Sequence, residues 1–321
     1  MLKRVIGILF LIVILVGVTV LSGFSAETYP EKPIKMIIGF SAGGPTDVPA
    51  RIVAESWEKE IGTNFVITNK TGAGGQLAWD ELVNAEPDGY TIGVTNVPGM
   101  IIVSLRPEAN FGASDFDYIG CNIVDSAGIM VKADSEYETI EQLLDYMEAN
   151  PGKVIVGLNA PGTDDQLAQV MFEEVWGRAI QSIVPFPEGE ADAAIALLGG
   201  HIDAMFGNVS TADNHPGEIR VLTVMNKERL PNYPDVPTVG EILGKDVVEF
   251  SARGFAAPKG IPEDRLNILR ESFKKAVENP ETIDKLEKAG FLTIYWGAEE
   301  FGGNVLMLDE TVRRFREDLG L

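Results

Sequence analysis

The sequence predicts an α/β protein built as two lobes with a cleft between them, and three observations lead to that class. Of the 321 residues, nearly 300 follow an apolar N-terminus, which exceeds the size of about 250 residues at which single cores stop growing. A strand, a glycine-rich turn and a helix recur as a unit through the first hundred residues. A second series of such units begins after an irregular, aromatic-spotted stretch, residues 107–125.

The elements follow from hydrophobic period and breakers. Residues 34–40 read as an apolar strand after Pro33, 48–61 as an amphipathic helix, 65–69 as strand, 76–85 as helix and 91–96 as strand. In the second series, 128–132 is strand, 139–149 is helix ending before Pro151, 154–159 is strand and 165–176 helix. Residues 183–186, 191–198 and 203–208 continue the alternation, and 220–225 closes it. Alternation with short glycine turns predicts a parallel sheet covered on both faces. The proline-dotted segment 230–237 and the strand-like 250–257 lead back to the first lobe, and charged helices at 263–278, 280–289 and 298–319 finish the chain. The first lobe is therefore expected over residues 27–124 plus 250–321, and the second over 125–249.

Lys3 and Arg4 precede an apolar run, residues 5–21, and a small-residue stretch, 22–26. That is the order of a signal peptide, so residues 1–26 predict export to the periplasm or another extracytoplasmic space. The run is longer than the usual core of about 7 to 15 residues, which leaves an uncleaved anchor as the alternative. Cleavage fits after Ser25 or Ala26, and Phe24 stands where a lipoprotein needs cysteine. The net charge is −22, and removal of Lys3 and Arg4 with the signal makes it −24. Such a chain lacks the concentrated Lys and Arg that phosphate backbones require, so nucleic acid is excluded as a partner. The single cysteine, Cys121, has no internal disulfide partner and reads as a small buried residue.

Three turns carry the candidate chemistry. The first strand runs into Gly39-Phe40-Ser41-Ala42-Gly43-Gly44-Pro45-Thr46-Asp47, where glycines permit close backbone approach and Thr46 or Asp47 can cap the helix. Unpaired amides at such a helix start favour an anion. Asn69 to Gly75 occupies the same place after the second strand, and Asn159-Ala160-Pro161-Gly162-Thr163-Asp164-Asp165 follows a strand of the second lobe. Parallel sheets put these turns at the carboxyl ends of their strands, where ligands of open α/β sheets bind. Phe40, Ser41, Gly43, Gly44, Thr46, Asp47 and Gly74 are the candidate ligand residues of the first lobe, with Asn96 at its third strand end. Asn159, Gly162, Thr163, Asp164, Gln166, Phe186 and Asn208 are those of the second.

Gly39 to Gly43 also fits the G-x-S-x-G nucleophile elbow, which makes a secreted esterase using Ser41 the rival reading. Its base would have to be His201 or His215, and both lie in turns. The chain has no dinucleotide fingerprint, phosphate loop or zinc spacing. Asp164-Asp165 and Glu299-Glu300 lack a calcium-loop context, so solvated charge is expected there. No metal or cofactor is expected.

Taken in order, Tyr29-Pro30-Glu31-Lys32-Pro33-Ile34, Gly43 to Asp47, Asn69 to Gly75, Pro87-Asp88-Gly89-Tyr90-Thr91, Gly162-Thr163, Leu197 to Asp203 and Asp235-Val236-Pro237-Thr238 resemble the substrate-binding proteins of tripartite tricarboxylate transporters, the Bug family. The resemblance implies a type II periplasmic-binding-protein fold that closes on its solute like a flytrap. It implies a small organic carboxylate as ligand (a di- or tricarboxylate, an acidic amino acid or an aromatic acid) and delivery to the permease subunits of a membrane transporter. It also implies binding through the loops 40–47 and 159–166. A binding protein serving a sensor kinase is the alternative role. Where the family usually has His-Leu this chain has Gln166-Leu167, and where it has Tyr-Lys-Gly-Gly this chain has Phe186-Pro187-Glu188-Gly189. Both departures remove positive charge, so a ligand with fewer carboxylates than citrate, or one bearing an amine, is expected.

Overall fold

The computed structural model describes residues 29–159, 162–186 and 189–321, so the predicted signal peptide and Glu188 lie outside the described residues. β1 (Ile34–Ile38) is an interior strand leading to α1 (Asp47–Ile61), whose buried Ala50, Val53, Ala54, Trp57 and Ile61 recur at helical spacing. Gly62, in the left-handed region at φ 80°, ends that helix. β2 (Phe65–Asn69), α2 (Gln76–Val83) and β3 (Thr91–Val97) repeat the unit. α3 (Gly99–Ser104) follows at once and is not foreseen by the sequence pattern, because its apolar run is too short to show a period.

β4 (Phe116–Lys132) opens the second series. α4 (Ile140–Ala149) starts at Thr139, whose hydroxyl accepts from the Gln142 amide. β5 (Val156–Asn159), α5 (Asp164–Trp176), β6 (Ile183–Phe186), α6 (Glu190–Leu198) and β7 (Ala204–Asn208) follow. The short α7 (Ser210–Asp213), β8 (Ile219–Val224) and α8 (Val239–Leu243) complete that half. β9 (Phe250–Pro258) pairs back with β3, followed by α9 (Glu263–Val277), α10 (Pro280–Lys288), β10 (Trp296–Gly297) and α11 (Ala298–Arg314).

The strands lie in the order β2-β1-β3-β9-β4-β7-β5-β6, with β8 and β10 also paired to β4. The expected parallel pairing holds for β1 with β2 and β3, and for β5 with β6 and β7. It fails at the centre, where β9 is antiparallel to β3 and β4, and β4 is antiparallel to β7 and β8. The reading of 107–125 as irregular is likewise corrected, since β4 occupies its second half. Its 17 residues are buried except at Asp117 and Lys132. A strand covered on both faces shows no alternation, and its register shifts near Gly120 and Cys121 interrupt the pattern further.

β4 pairs with β9 as far as Ser126 and with β7 from Ala127, so one strand passes from the first half of the sheet to the second. Val97, the end of β3, lies opposite Ala252, which lies opposite Val124; Asn208, the end of β7, lies opposite Ala127. The carboxyl ends of both halves thus converge on the crossing. Gly254 permits the close packing there, because a Cβ on it would stand 2.6 Å from the Cys121 Cβ and from the Phe301 ring. Cys121 is fully buried, and burial pushes its thiol well above the ordinary range.

One core joins α1 and α9 to the first half of the sheet. Trp57 stands at its centre, with ring centroids 4.9 Å from Phe65, 5.3 Å from Phe255 and 5.0 Å from Phe273. Its indole N–H donates to the Ser272 Oγ at 2.8 Å. A larger core runs through both halves of the sheet, from Trp79, Phe116 and Phe301 to Phe172 and Phe206. Among the described residues no helix is long and apolar enough to cross a membrane.

Trp57→Ala is expected to cost about 3–5 kcal/mol, as truncation of a fully buried aromatic does. Ser272→Ala, which only orphans the indole donor, is expected to cost about 1–3 kcal/mol. Chemical denaturation measures both, and a Trp57→Ala loss no larger than that of Ser272→Ala would contradict this account of the core.

Candidate functional site

The loop between β1 and α1 is organised by Asp47, which is only 2% exposed. Its Oδ2 accepts from the Gly43 amide at 2.8 Å and from Arg51 Nε at 2.8 Å, and its Oδ1 accepts from Asn69 Nδ2 at 2.7 Å. Asn69 Nδ2 also donates to the Phe40 carbonyl, which ties the first two loops together. Burial opposes charge on Asp47, but Arg51, Asn69 and the Gly43 amide outweigh it and hold the carboxyl below its usual range. Gly43 supplies the left-handed turn, at φ 78°, that brings its amide to that carboxylate.

Free amides at the start of α1 are fewer than the sequence suggests. The Asp47 and Val48 amides both donate to the Gly44 carbonyl, and Pro49 has no N–H. Thr46 holds the N-cap position without a side-chain cap and is 3% exposed. Ser41 and Gly43 are exposed and Gly44 is half-buried, while the Phe40 ring packs edge-on to Trp79, 6.1 Å away. Gly74 is exposed in the second loop, where Arg106 donates to the neighbouring Ala73 carbonyl.

The second lobe repeats this economy with acids. The Asp164 carboxylate accepts from the amides of Asp164 and Asp165 and from the Asn208 side chain. The Asp165 Oδ2 accepts from the Asn159 amide at 2.9 Å. Gln166 spends both polar ends elsewhere, accepting from the Gly162 amide and donating to the Asp318 carbonyl at 3.1 Å. Thr163 is the half-buried N-cap of α5, and Phe186 packs beside the small apolar core of the second lobe. Asn208 donates from its amide to Glu190 Oε1 at 2.7 Å and from Nδ2 to Oε2 at 3.1 Å, and Thr211 donates to the same carboxylate.

The structure also gathers residues that the sequence reading does not single out. Arg253 on β9 lies opposite Asn96 and Ile123 in register, and its Nε is buried without a hydrogen-bond partner. It shares a narrow recess of about 10 Å³ with Thr46 and Asn122. Asn122 is 4% exposed and its Nδ2 is also without a partner. Asp125, Asp164 and Glu190 act electrostatically on Arg253, and Asp165 and Glu249 feel the same acids. Burial pulls the guanidinium below its usual value, against support from Asp125, Asp164 and Glu190.

Each of those acids is shifted the other way. Burial raises Asp125 despite hydrogen bonds from Ser210, and raises Asp164 despite its own donors. Burial, then Asp164 and Glu190, raises Asp165 far above the usual range, while burial, then Asp164 and Asp125, does so for Glu249. Glu190 is pushed up to about 7, mainly by burial. The expectation of solvated charge at Asp164-Asp165 is therefore corrected: Asp165 is 3% exposed and serves as an internal acceptor. Among the described residues no group of acids, histidines and cysteine is arranged to hold a metal ion. The sequence signal for the cluster was present in Arg253, a charge inside an otherwise apolar strand.

Neither histidine hydrogen-bonds Ser41 among the described residues, and the His215 Nδ1 instead meets the Thr211 carbonyl at 2.9 Å.

The profile of the tripartite tricarboxylate transporter family receptor matches residues 49–315. A relative from Cupriavidus necator, the UPF0065 protein in the gbd 5′ region, is 32% identical over 302 residues, covering 92% of this chain and 90% of its own. A TctC solute-binding protein from Polaromonas superposes with a TM-score of 0.79 at 30% identity, over 89% of this chain and 100% of that one. The periplasmic binding protein BugD does so with a TM-score of 0.66 at 28% identity, over 91% and 99% of the two chains. The chain thus belongs to the tripartite tricarboxylate transporter receptor family and is a solute-binding receptor, not an enzyme.

Proposed function

We propose that this receptor works outside the cytoplasmic membrane, where it captures a small organic carboxylate between a lobe of residues 27–124 plus 250–321 and a lobe of residues 125–249, and passes it to a membrane permease. The signal-peptide order of residues 1–26 supports the compartment. One observation carries the ligand class: Arg253 Nε and Asn122 Nδ2, both buried and both without partners, line one recess beside Thr46 at the strand crossing. Buried donors left unpaired are costly, and a carboxylate repays both. The recess is only about as large as one water, so the solute's anionic end enters by opening it slightly. Contacts made from both lobes exist together only when the cleft is shut, so solute shifts the population toward closure.

Malate and adipate, which two solved proteins of this fold carry, serve with citrate as first probes for titration calorimetry, beside mass spectrometry of any solute retained on purification. The bound solute is expected to bear a carboxylate and to shrink the radius of gyration in solution scattering. Arg253→Met is expected to weaken it about 10- to 100-fold, the worth of a charge-assisted hydrogen bond. A retained solute without an acidic group, bound equally well by Arg253→Met, would refute the reading.

The acid cluster adds a pH signature. Because burial raises Glu190 from 4.5 to about 7, the folded chain keeps a proton that the unfolded chain has released between those values. Its contribution to stability is complete below pH about 4.5 and is lost as pH rises through about 7, a fall of about 3 kcal/mol. In solute-free protein, Glu190→Gln is expected to flatten the decline of denaturation free energy between pH 5 and 8 relative to wild type. Parallel wild-type and variant curves would show that the carboxyl is not so shifted.

A further inference from the structure

Among the described residues a second cavity, of about 360 Å³, opens beside the strand crossing and shares no lining residue with the Arg253 recess. β4 lines it with Val124, Asp125 and Ser126, and β9 with Phe250. Met225 and Leu230, after β8, form one wall, and the stretch from Leu292 into α11 forms another. That volume falls in the range of about 300 to 1,000 Å³ that holds small organic molecules. Trp296 and Phe250 give the cavity an aromatic side, their ring centroids 5.0 Å apart and their planes at 89°. Leu292 and Ile294 also line it, yet they stay 38% and 42% exposed, so they belong to its mouth. Apolar side chains left in water at the rim of a hole favour the entry of an apolar body.

One polar group is left over in this apolar setting. Glu249 lines the cavity, is 1% exposed, and its Oε1 has no hydrogen-bond partner. Its carboxyl accepts from the Phe250 amide, while its own amide donates to the Met225 carbonyl and its carbonyl accepts from the Ala127 amide, so the strand crossing holds the residue in place. Burial, followed by neighbouring acids, raises the carboxyl far above its usual range, as befits an acid without a counter-ion. The rest of the lining does not supply one, since Asp125 and Glu300 add acid and the single basic residue, Lys227, is exposed. An anion is therefore repelled from this cavity. A bare metal ion does not fit, because the acids of the described residues are nowhere gathered at ligating distance. An organic ammonium fits all three features: its N–H groups can satisfy Oε1, its charge suits the face of the Trp296 indole, and its hydrocarbon suits the walls.

We infer that this cavity is a second ligand site, taking a small apolar primary amine whose ammonium donates to Glu249 Oε1 and whose hydrocarbon body packs against Trp296, Phe250 and Leu230. The ligand of this site carries no carboxylate and does not touch Arg253. It is independent of the transported solute, so the failure of either reading leaves the other standing.

The test is titration calorimetry on the solute-free full chain with three probes of one size: phenethylamine, 2-phenylethanol and 3-phenylpropionate. Phenethylamine is expected to bind about ten times tighter than either of the others, or better still. Glu249→Gln keeps the shape and removes the charge, and is expected to weaken phenethylamine about 10- to 100-fold while leaving 2-phenylethanol within about twofold. Trp296→Leu is expected to weaken phenethylamine several-fold, and it carries the test by itself should Glu249→Gln fail to fold. Arg253→Met, which alters only the other recess, is expected to leave phenethylamine binding unchanged. The inference is overturned if no probe binds, if the amine binds no tighter than the alcohol, or if Glu249→Gln weakens the two alike, as a merely structural role would. Amine binding that survives both Glu249→Gln and Trp296→Leu overturns it too, as does amine binding that Arg253→Met abolishes, which would put the amine in the solute recess.

Discussion

β4 passes from one half of the sheet to the other without a break, paired to β9 up to Ser126 and to β7 from Ala127. Because backbone hydrogen bonds must be continuous through a buried strand, the crossing fixes the positions of everything joined to it. It brings the ends of β3 and β7 to neighbouring residues of one strand. It also places Asp125 and Asn122 beside Arg253, which belongs to the segment returning from the second lobe. The space at Gly254 that lets Cys121 and Phe301 approach is part of the same constraint. Loops and helix starts are hung from this junction, so the cleft inherits its geometry from two strands and not from the loops that border it.

Charge is spent internally on both sides of that junction. Asp47 stands at a helix start and consumes the donors nearest to it, converting a turn that looks open to an anion into a closed, rigid corner. Asp164 and Asp165 do the same at α5. Among the described residues, the buried side-chain atoms that remain unspent include Arg253 Nε and Asn122 Nδ2 on the strands and Glu249 Oε1 beside the crossing. Burying acids whose partners are incomplete is expensive in a folded chain, and such sites persist where a ligand completes them. Under the proposed reading this is also how so acidic a receptor holds an anion. A single buried guanidinium in a low-dielectric recess acts at short range, where the distant field of the surface is screened by salt.

Much of the architecture was legible in order and period. The first three strands and two helices fall within a few residues of their predicted bounds, as do α4, α5 and the helices that close the chain, because each shows its period over several turns or is punctuated by glycine and proline. β4 was only half legible, since a strand buried on both faces has no alternation to read. α3 was missed because its run of apolar residues is too brief to separate helix from strand. Among the site residues, the loops were placed correctly as loops, but Gln166 and Asp47 turn out to face their own backbone, and Arg253 was read only as part of a strand.

By itself the sequence determined the signal-peptide order at the N-terminus, the alternation that makes an α/β chain, the turns at strand ends and the resemblance that names the family. Those are local properties, carried by composition, spacing and the conformational limits of glycine and proline. The tertiary structure alone decided which polar groups are paired and which are left over. Arg253, Asn122, Asp125, Asp164, Glu190 and Glu249 come from separate segments, and electrostatic interaction acts through space at strengths set by burial. No reading along the chain can sum those distances, because they exist only after the sheet has been assembled.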